Sequence, residues 1–128
     1  MQDTPHAAEL IDAVTAFLRG TAIPNLSGRA AFDARVAANV LDIVARELRL
    51  APAAQADEHE RLRALLGTDG TLAELNQRLC EAIAGGRIDT ATPGLGGHLW
   101  AVTLAKLAVD QPGYSSYRQI IDPEETLP

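Results

Sequence analysis

The stretch SGRAAFDARVAANVLDIVARELRL, residues 27–50, decides the fold. Turned at about 100° per residue, Phe32, Val36, Val40, Leu41, Ile43, Val44 and Leu48 sweep roughly half of a helical circumference. Ala34, Ala37, Ala38 and Ala45 widen that arc. A helix apolar over so much of its surface is normally central, with neighbours on more than one side. The remaining arc carries a polar row, Arg35, Asn39, Asp42, Arg46 and Arg49, whose intervals of 4, 3, 4 and 3 hold all five in one stripe.

Working outward, the preceding stretch has Thr4 as an N-cap type, Pro5 suited to the first helical position and Gly20 as a terminator. Leu10, Ile11, Val14, Phe17 and Leu18 form its buried stripe, and residues 21–27, with Pro24 and Asn25, are a connection. Beyond residue 50, Pro52 opens a third, more polar helix that ends at Gly67 and turns Leu62, Leu65 and Leu66 inward. Thr71 and Glu74 have capping-box spacing and start a fourth helix with core positions Leu72, Leu75, Leu79 and Ile83, ended by Gly85 and Gly86. After an irregular glycine- and threonine-rich stretch, a fifth helix begins near Leu95 or Gly97 and runs to Val109. It buries Leu99, Val102 or Thr103, Leu107 and Trp100, and Pro112-Gly113 stops it. Residues 114–128 are expected to be an extended tail docked by Ile120 and Ile121. The sequence therefore predicts a single all-α domain over 1–128, about five helices packed around a long central second helix, with an extended C-terminal tail.

Composition supports the helices. Ala (23) and Leu (17) dominate the apolar residues, and both lose little rotamer freedom in a helix, whereas strands favour β-branched and aromatic residues. The formal net charge of −6 argues against generic nucleic-acid binding, which needs a cationic surface to displace phosphate counterions. No window approaches 18 uninterrupted apolar residues, so no membrane span is expected. One cysteine, Cys80, cannot form an intrachain disulfide, and the start Met1-Gln-Asp-Thr-Pro5 has no basic residues ahead of a long apolar run; the expectation is a cytoplasmic protein.

Three stretches, TPHAAELIDAVTAFLRG (4–20), FDARVAANVLDIVAREL (32–48) and LAVDQPGY (107–114), resemble an uncharacterised bacterial family of small all-helical proteins, over nearly the whole chain. The late stretch departs from the family pattern, which has a basic residue where Gly113 stands. The resemblance implies a helical fold and a gene context beside aminoglycoside-phosphotransferase-like kinases and acyl-CoA dehydrogenases. It implies no catalytic residues.

The polar row admits three readings. It is a solvated face with Asp42 and Arg46 as an i,i+4 pair; or Asn39 is buried and bonded to a neighbouring helix end; or the row is a patch of net charge +2 that holds an anionic ligand or a partner's carboxylates. Arginine suits the last role because its planar fork binds such groups bidentately. Arg35, Asn39, Arg46 and Arg49 are accordingly the candidate ligand- or partner-binding residues. Residues 93–98, Pro-Gly-Leu-Gly-Gly-His, could present backbone N–H groups to a phosphate, but no strand precedes them and no Lys-Ser or Lys-Thr follows, so neither phosphate-loop fingerprint is matched. His6, His59 and His98 lie on different elements without ligand spacing, and Cys80, beside core position Leu79, is expected to be a small apolar filler. Trp100, Tyr114 and Tyr117 are core rings or interface anchors. No catalytic residue, cofactor or metal is expected. The functional expectation is a non-catalytic accessory protein that binds another protein, such as a kinase-like or acyl-CoA-metabolising enzyme, with a homodimer compatible. The alternative is a domain that uses the arginine row to bind or act on a phosphate- or acyl-CoA-type anion.

Overall fold

The computed structural model describes residues 3–123. Among these residues there are five α-helices and no strand: α1 (Ala7–Phe17), α2 (Gly28–Leu66), α3 (Leu72–Ala84), α4 (Leu95–Asp110) and α5 (Ser115–Ile121). The all-helical expectation holds, and α2, at 39 residues, is the longest element. The chain forms two compact units, Met1–Ala51 and Pro52–Pro128, and α2 contributes residues to each.

The first unit contains α1, a π-helical turn (Leu18–Ala22), a 3-10 turn (Ile23–Asn25) and the first part of α2. The N-cap of α1 is His6 rather than Thr4; its backbone N–H donates to Glu9 Oε2 at 2.6 Å. Gly20 does not end the helical path, which loosens into the π turn instead. Asp12 and Arg19, seven residues apart, pair with Arg49 and Asp42, also seven apart but in reverse order. Two helices linked in that order are antiparallel, and the register brings Thr15 level with Ala45.

The small residues Ala31, Ala38 and Ala45, spaced by seven, are the buried positions of this part of α2, and Thr15 is the buried position of α1. The large residues are outside. Ala38 is 0% exposed whereas Val40 is 52% exposed, and Phe17, expected in the core, is 57% exposed. Alanine at the contact lets two helices approach closely, and the larger side chains then project away from that contact.

The second unit has a leucine core. Leu62 of α2, Leu75, Leu79 and Ala82 of α3, Ile88 of the connection that follows and Leu95 of α4 form one buried cluster, with Leu65, Leu66 and Leu72 packed against it. Leu62, Leu65, Leu66, Leu75 and Leu79 are the expected core positions; Ile83 is exposed instead. The capping box at the start of α3 is present: Thr71 N–H donates to Glu74 Oε2 (2.8 Å) and Glu74 N–H to Thr71 Oγ1 (3.3 Å). The Thr71 N–H bond, with a second from the Thr71 hydroxyl to Glu74 Oε2 (2.9 Å), holds the Glu74 carboxyl below its ordinary pKa by stabilising the anion.

The expected break at Pro52 does not occur. Pro52 lies inside α2, so the anticipated second and third helices are one. An interior proline forfeits one i→i−4 bond and costs about 3 kcal/mol, while the alanines at 51, 53, 54 and 56 around it are the best helix formers available. The helix ends at Gly67, whose φ of +62° suits a residue without Cβ and whose N–H bonds Arg63 O at 2.9 Å. The expected tail contains a helix, α5, docked by buried Tyr117 while Ile120 and Ile121 are exposed. The acidic pair Glu124-Glu125 and Pro128 lie outside the described residues.

Candidate functional site

The arginine row lies on the first unit. Arg19 Nη2 donates to Asn39 Oδ1 at 3.1 Å and also binds the Asp42 carboxylate. Arg49 binds the Asp12 carboxylate through both terminal nitrogens, and this hydrogen bonding raises the guanidinium pKa above its ordinary value. Asn39 is exposed and tied to Arg19 at the end of the first helical segment. Arg46 is half-buried and Arg35 is exposed on the same stripe. Asn39, Asp42 and Arg49 are therefore engaged with the neighbouring helical segment, and they form the polar edge of an antiparallel pair.

The opposite edge is apolar. About 100° of rotation per residue separates the ion-pairing residues of α1 from Leu10, Val14 and Phe17, with Ile11, Thr15 and Leu18 between them facing α2. On α2 the same rotation carries Asn39, Asp42 and Arg49 to one side of Ala31, Ala38 and Ala45, and Val44 and Leu48 to the other. From there the apolar row leaves that edge and turns round the back of α2 through Val40 and Val36 to Phe32, which lies within about 20° of Asn39. These eight side chains are 40–57% exposed. Together they present on the order of 500 Å² of apolar surface, the scale of the largest patch on a typical monomer, ~300–600 Å², which is often functional.

The glycine stretch belongs to the second unit. Gly94, with φ +91°, is the N-cap of α4, and its carbonyl accepts from the His98 N–H at 2.9 Å. His98 is 3% exposed, and its Nδ1 has no hydrogen-bond partner among the described residues; neither has the buried Nε of Arg61. Burial lowers the His98 pKa, Arg61 lowers it further, and Glu58 opposes them. Glu58 accepts from Asn76 Nδ2 (2.8 Å), and the neighbouring His59 donates from Nε2 to Gly70 O (2.7 Å). This cluster was not legible in the sequence, because Glu58, Asn76 and His98 come from three helices with no shared spacing.

A cleft of about 380 Å³ lies beside this core, lined by Leu65, Leu66, Thr68, Arg78, Glu81, Ala82, Arg87 and Ile88. Arg78 is committed there to Thr68 Oγ1 (3.2 Å) and Asp69 O (2.9 Å). None of the row residues lines it. Among the described residues, no three His, Cys, Asp or Glu side chains gather as a metal site, and no helix is long and apolar enough to cross a membrane. Cys80 is exposed rather than a core filler, because it falls on the outer side of α3 from Leu75 and Leu79. Trp100 is 54% exposed and Leu99 is also outside; α4 buries Leu95 and His98 in their place.

The model of a domain of unknown function, DUF6285, matches residues 24–114. The chain belongs to this family. The DUF6285 match takes in all of α2, α3 and α4, and with them the arginine row, the valine stripe of α2 and the His98 cluster, while α1 precedes it. No curated protein and no solved structure matches the chain.

Proposed function

We propose that this DUF6285 protein is a non-catalytic helical accessory protein that docks a protein partner on the apolar edge of its first unit. One observation carries the assignment: on two helices fixed to each other by ion pairs, eight large apolar side chains lie exposed in one band that starts on the edge shared by α1 and α2 and runs on round the back of α2. A surface of that kind gains free energy when a complementary apolar helix removes it from water, at roughly 25 cal/mol per Å² before the costs of association. Arg35 sits near the rim beside Phe32, where it would engage carboxylates at the border of the partner. Asn39 and Arg49 act as struts that hold α1 against α2, and so set the shape of the docking face. The gene context implied by the family resemblance makes kinase-like and acyl-CoA-metabolising enzymes the first proteins to assay, in the cytoplasm.

The test is capture of such an enzyme by the parent chain and by Val36→Asp, with circular dichroism on both. Val36 is exposed, so the variant should keep its helices while capture falls at least tenfold. Capture that is indifferent to Val36→Asp but lost in Arg35→Ala would move the binding site from the apolar edge to the cationic row and overturn the assignment.

A further inference from the structure

We infer that the cleft of the second unit binds a small organic anion, a monocarboxylate with an aliphatic tail; the site lies apart from the docking face proposed above and does not depend on it. The floor of the cleft is apolar and continuous with the core. Ala82 and Ile88 belong to the buried cluster of this unit, and Leu65 and Leu66 pack against it. The rim is cationic, with Arg78 and Arg87 set against one carboxylate, Glu81. The volume of about 380 Å³ falls within the ~300–1,000 Å³ usual for small-molecule sites. At the ~30 Å³ that a water-sized group takes up in a liquid, the cleft admits on the order of a dozen non-hydrogen atoms.

How far each rim group is already engaged decides the charge of the occupant. Glu81 Oε1 accepts from Gln77 Nε2 at 2.9 Å, one turn back along α3. Arg78 is anchored to Thr68 and Asp69 through Nη1 alone, which leaves Nη2 and Nε out of those bonds. No hydrogen bond or ion pair among the described residues engages the Arg87 side chain. Its guanidinium lies over Gly85, where a Cβ would stand 3.2 Å from Arg87 Nη1, so the missing side chain makes room for it at the end of α3. Two guanidiniums and one carboxylate leave the rim with a net charge of +1. A monocarboxylate balances that charge, and a guanidinium binds it through two parallel hydrogen bonds. Inorganic phosphate would leave the apolar floor in water, and a neutral or cationic amphiphile would leave Arg87 unpaired.

Amide NMR spectra of the full chain titrated with sodium octanoate test the inference. The expected result is a saturable shift of the Leu66, Thr68, Ala82 and Ile88 resonances. 1-Octanol, octylammonium and inorganic phosphate should each bind at least tenfold more weakly than octanoate, a comparison made on the parent chain alone. Arg87→Gln should weaken octanoate binding at least tenfold with an unchanged helical spectrum, and Arg87→Lys, which keeps the charge without the planar fork, should recover part of the loss. Absence of a saturable shift overturns the inference. So does octanoate binding that 1-octanol matches or that Arg87→Gln leaves unchanged. Shifts confined to Phe32, Val36 and Val40 also overturn it, since the tail would then lie on the docking face of the first unit.

Discussion

Replacing Ala45 by leucine should separate the two helices of the first unit, and the size of the effect follows from where Ala45 lies. It is 3% exposed, and the register set by the Asp12–Arg49 and Arg19–Asp42 pairs brings it level with Thr15, itself 8% exposed. Leucine adds three carbons at this position. In a site with room, that burial would stabilise by about 0.8 kcal/mol per methylene. Here the alanine is already almost fully covered, so the added atoms force α1 away or drive the leucine off its rotamer, costing about 1–3 kcal/mol. For a chain of this length that corresponds to a melting temperature lowered by roughly 4–11 °C. Val40→Leu is the control: the same helix, a larger side chain and an exposed site, with a change expected within about 0.5 kcal/mol. Thermal melts followed by circular dichroism compare the two. An unaffected Ala45→Leu beside a strongly destabilised Val40→Leu would refute the placement, since it would mean that the valine stripe is the inside of the hairpin.

Thr15→Val should raise stability by about 1 kcal/mol, because the buried Thr15 hydroxyl has no hydrogen-bond partner among the described residues; a lower melting temperature would reveal a bond to that hydroxyl. Leu75→Ala, at a site with no exposure in the core of the second unit, should cost about 2–5 kcal/mol in urea unfolding, and a loss below about 1 kcal/mol would contradict the burial. Because His98 has a folded pKa below its unfolded value near 6.5, the unfolded chain takes up its proton first on acidification. The contribution of His98 to stability is therefore complete above about pH 6.5, is lost as pH falls below that value, and levels off beneath the folded pKa. Melts of the parent and His98→Gln across this window should show a shallower acid loss in the variant, and equal slopes would place the titration elsewhere.

Local features were legible because their chemistry is local. The Thr71–Glu74 capping box joins residues three apart, and the leucines of α3 repeat at helical spacing toward one core, so both were fixed within a dozen residues of sequence. The start of α1 and the continuity through Pro52 were less so, since each turns on differences of a few kcal/mol between competing local arrangements. The candidate site was legible in its members but not in its pairing. The spacing put Arg35, Asn39, Asp42, Arg46 and Arg49 on one stripe, yet Arg19 and Asp12, the groups that hold three of them, have no fixed separation from the row in the chain.

The apolar arc of α2 likewise came from the sequence alone, because a period of 3.6 residues assigns side chains to faces of a helix wherever that helix lies. Which part of the arc is covered is a relation between elements. Hydrophobicity ranks valine and phenylalanine above alanine for the interior, but Ala31, Ala38 and Ala45 lie inside while Phe32, Val36 and Val40 lie outside. Only the tertiary structure decided this: two helices joined by a short connection and cross-linked by ion pairs meet along the line that permits their closest approach, and on α2 that line is the alanine one.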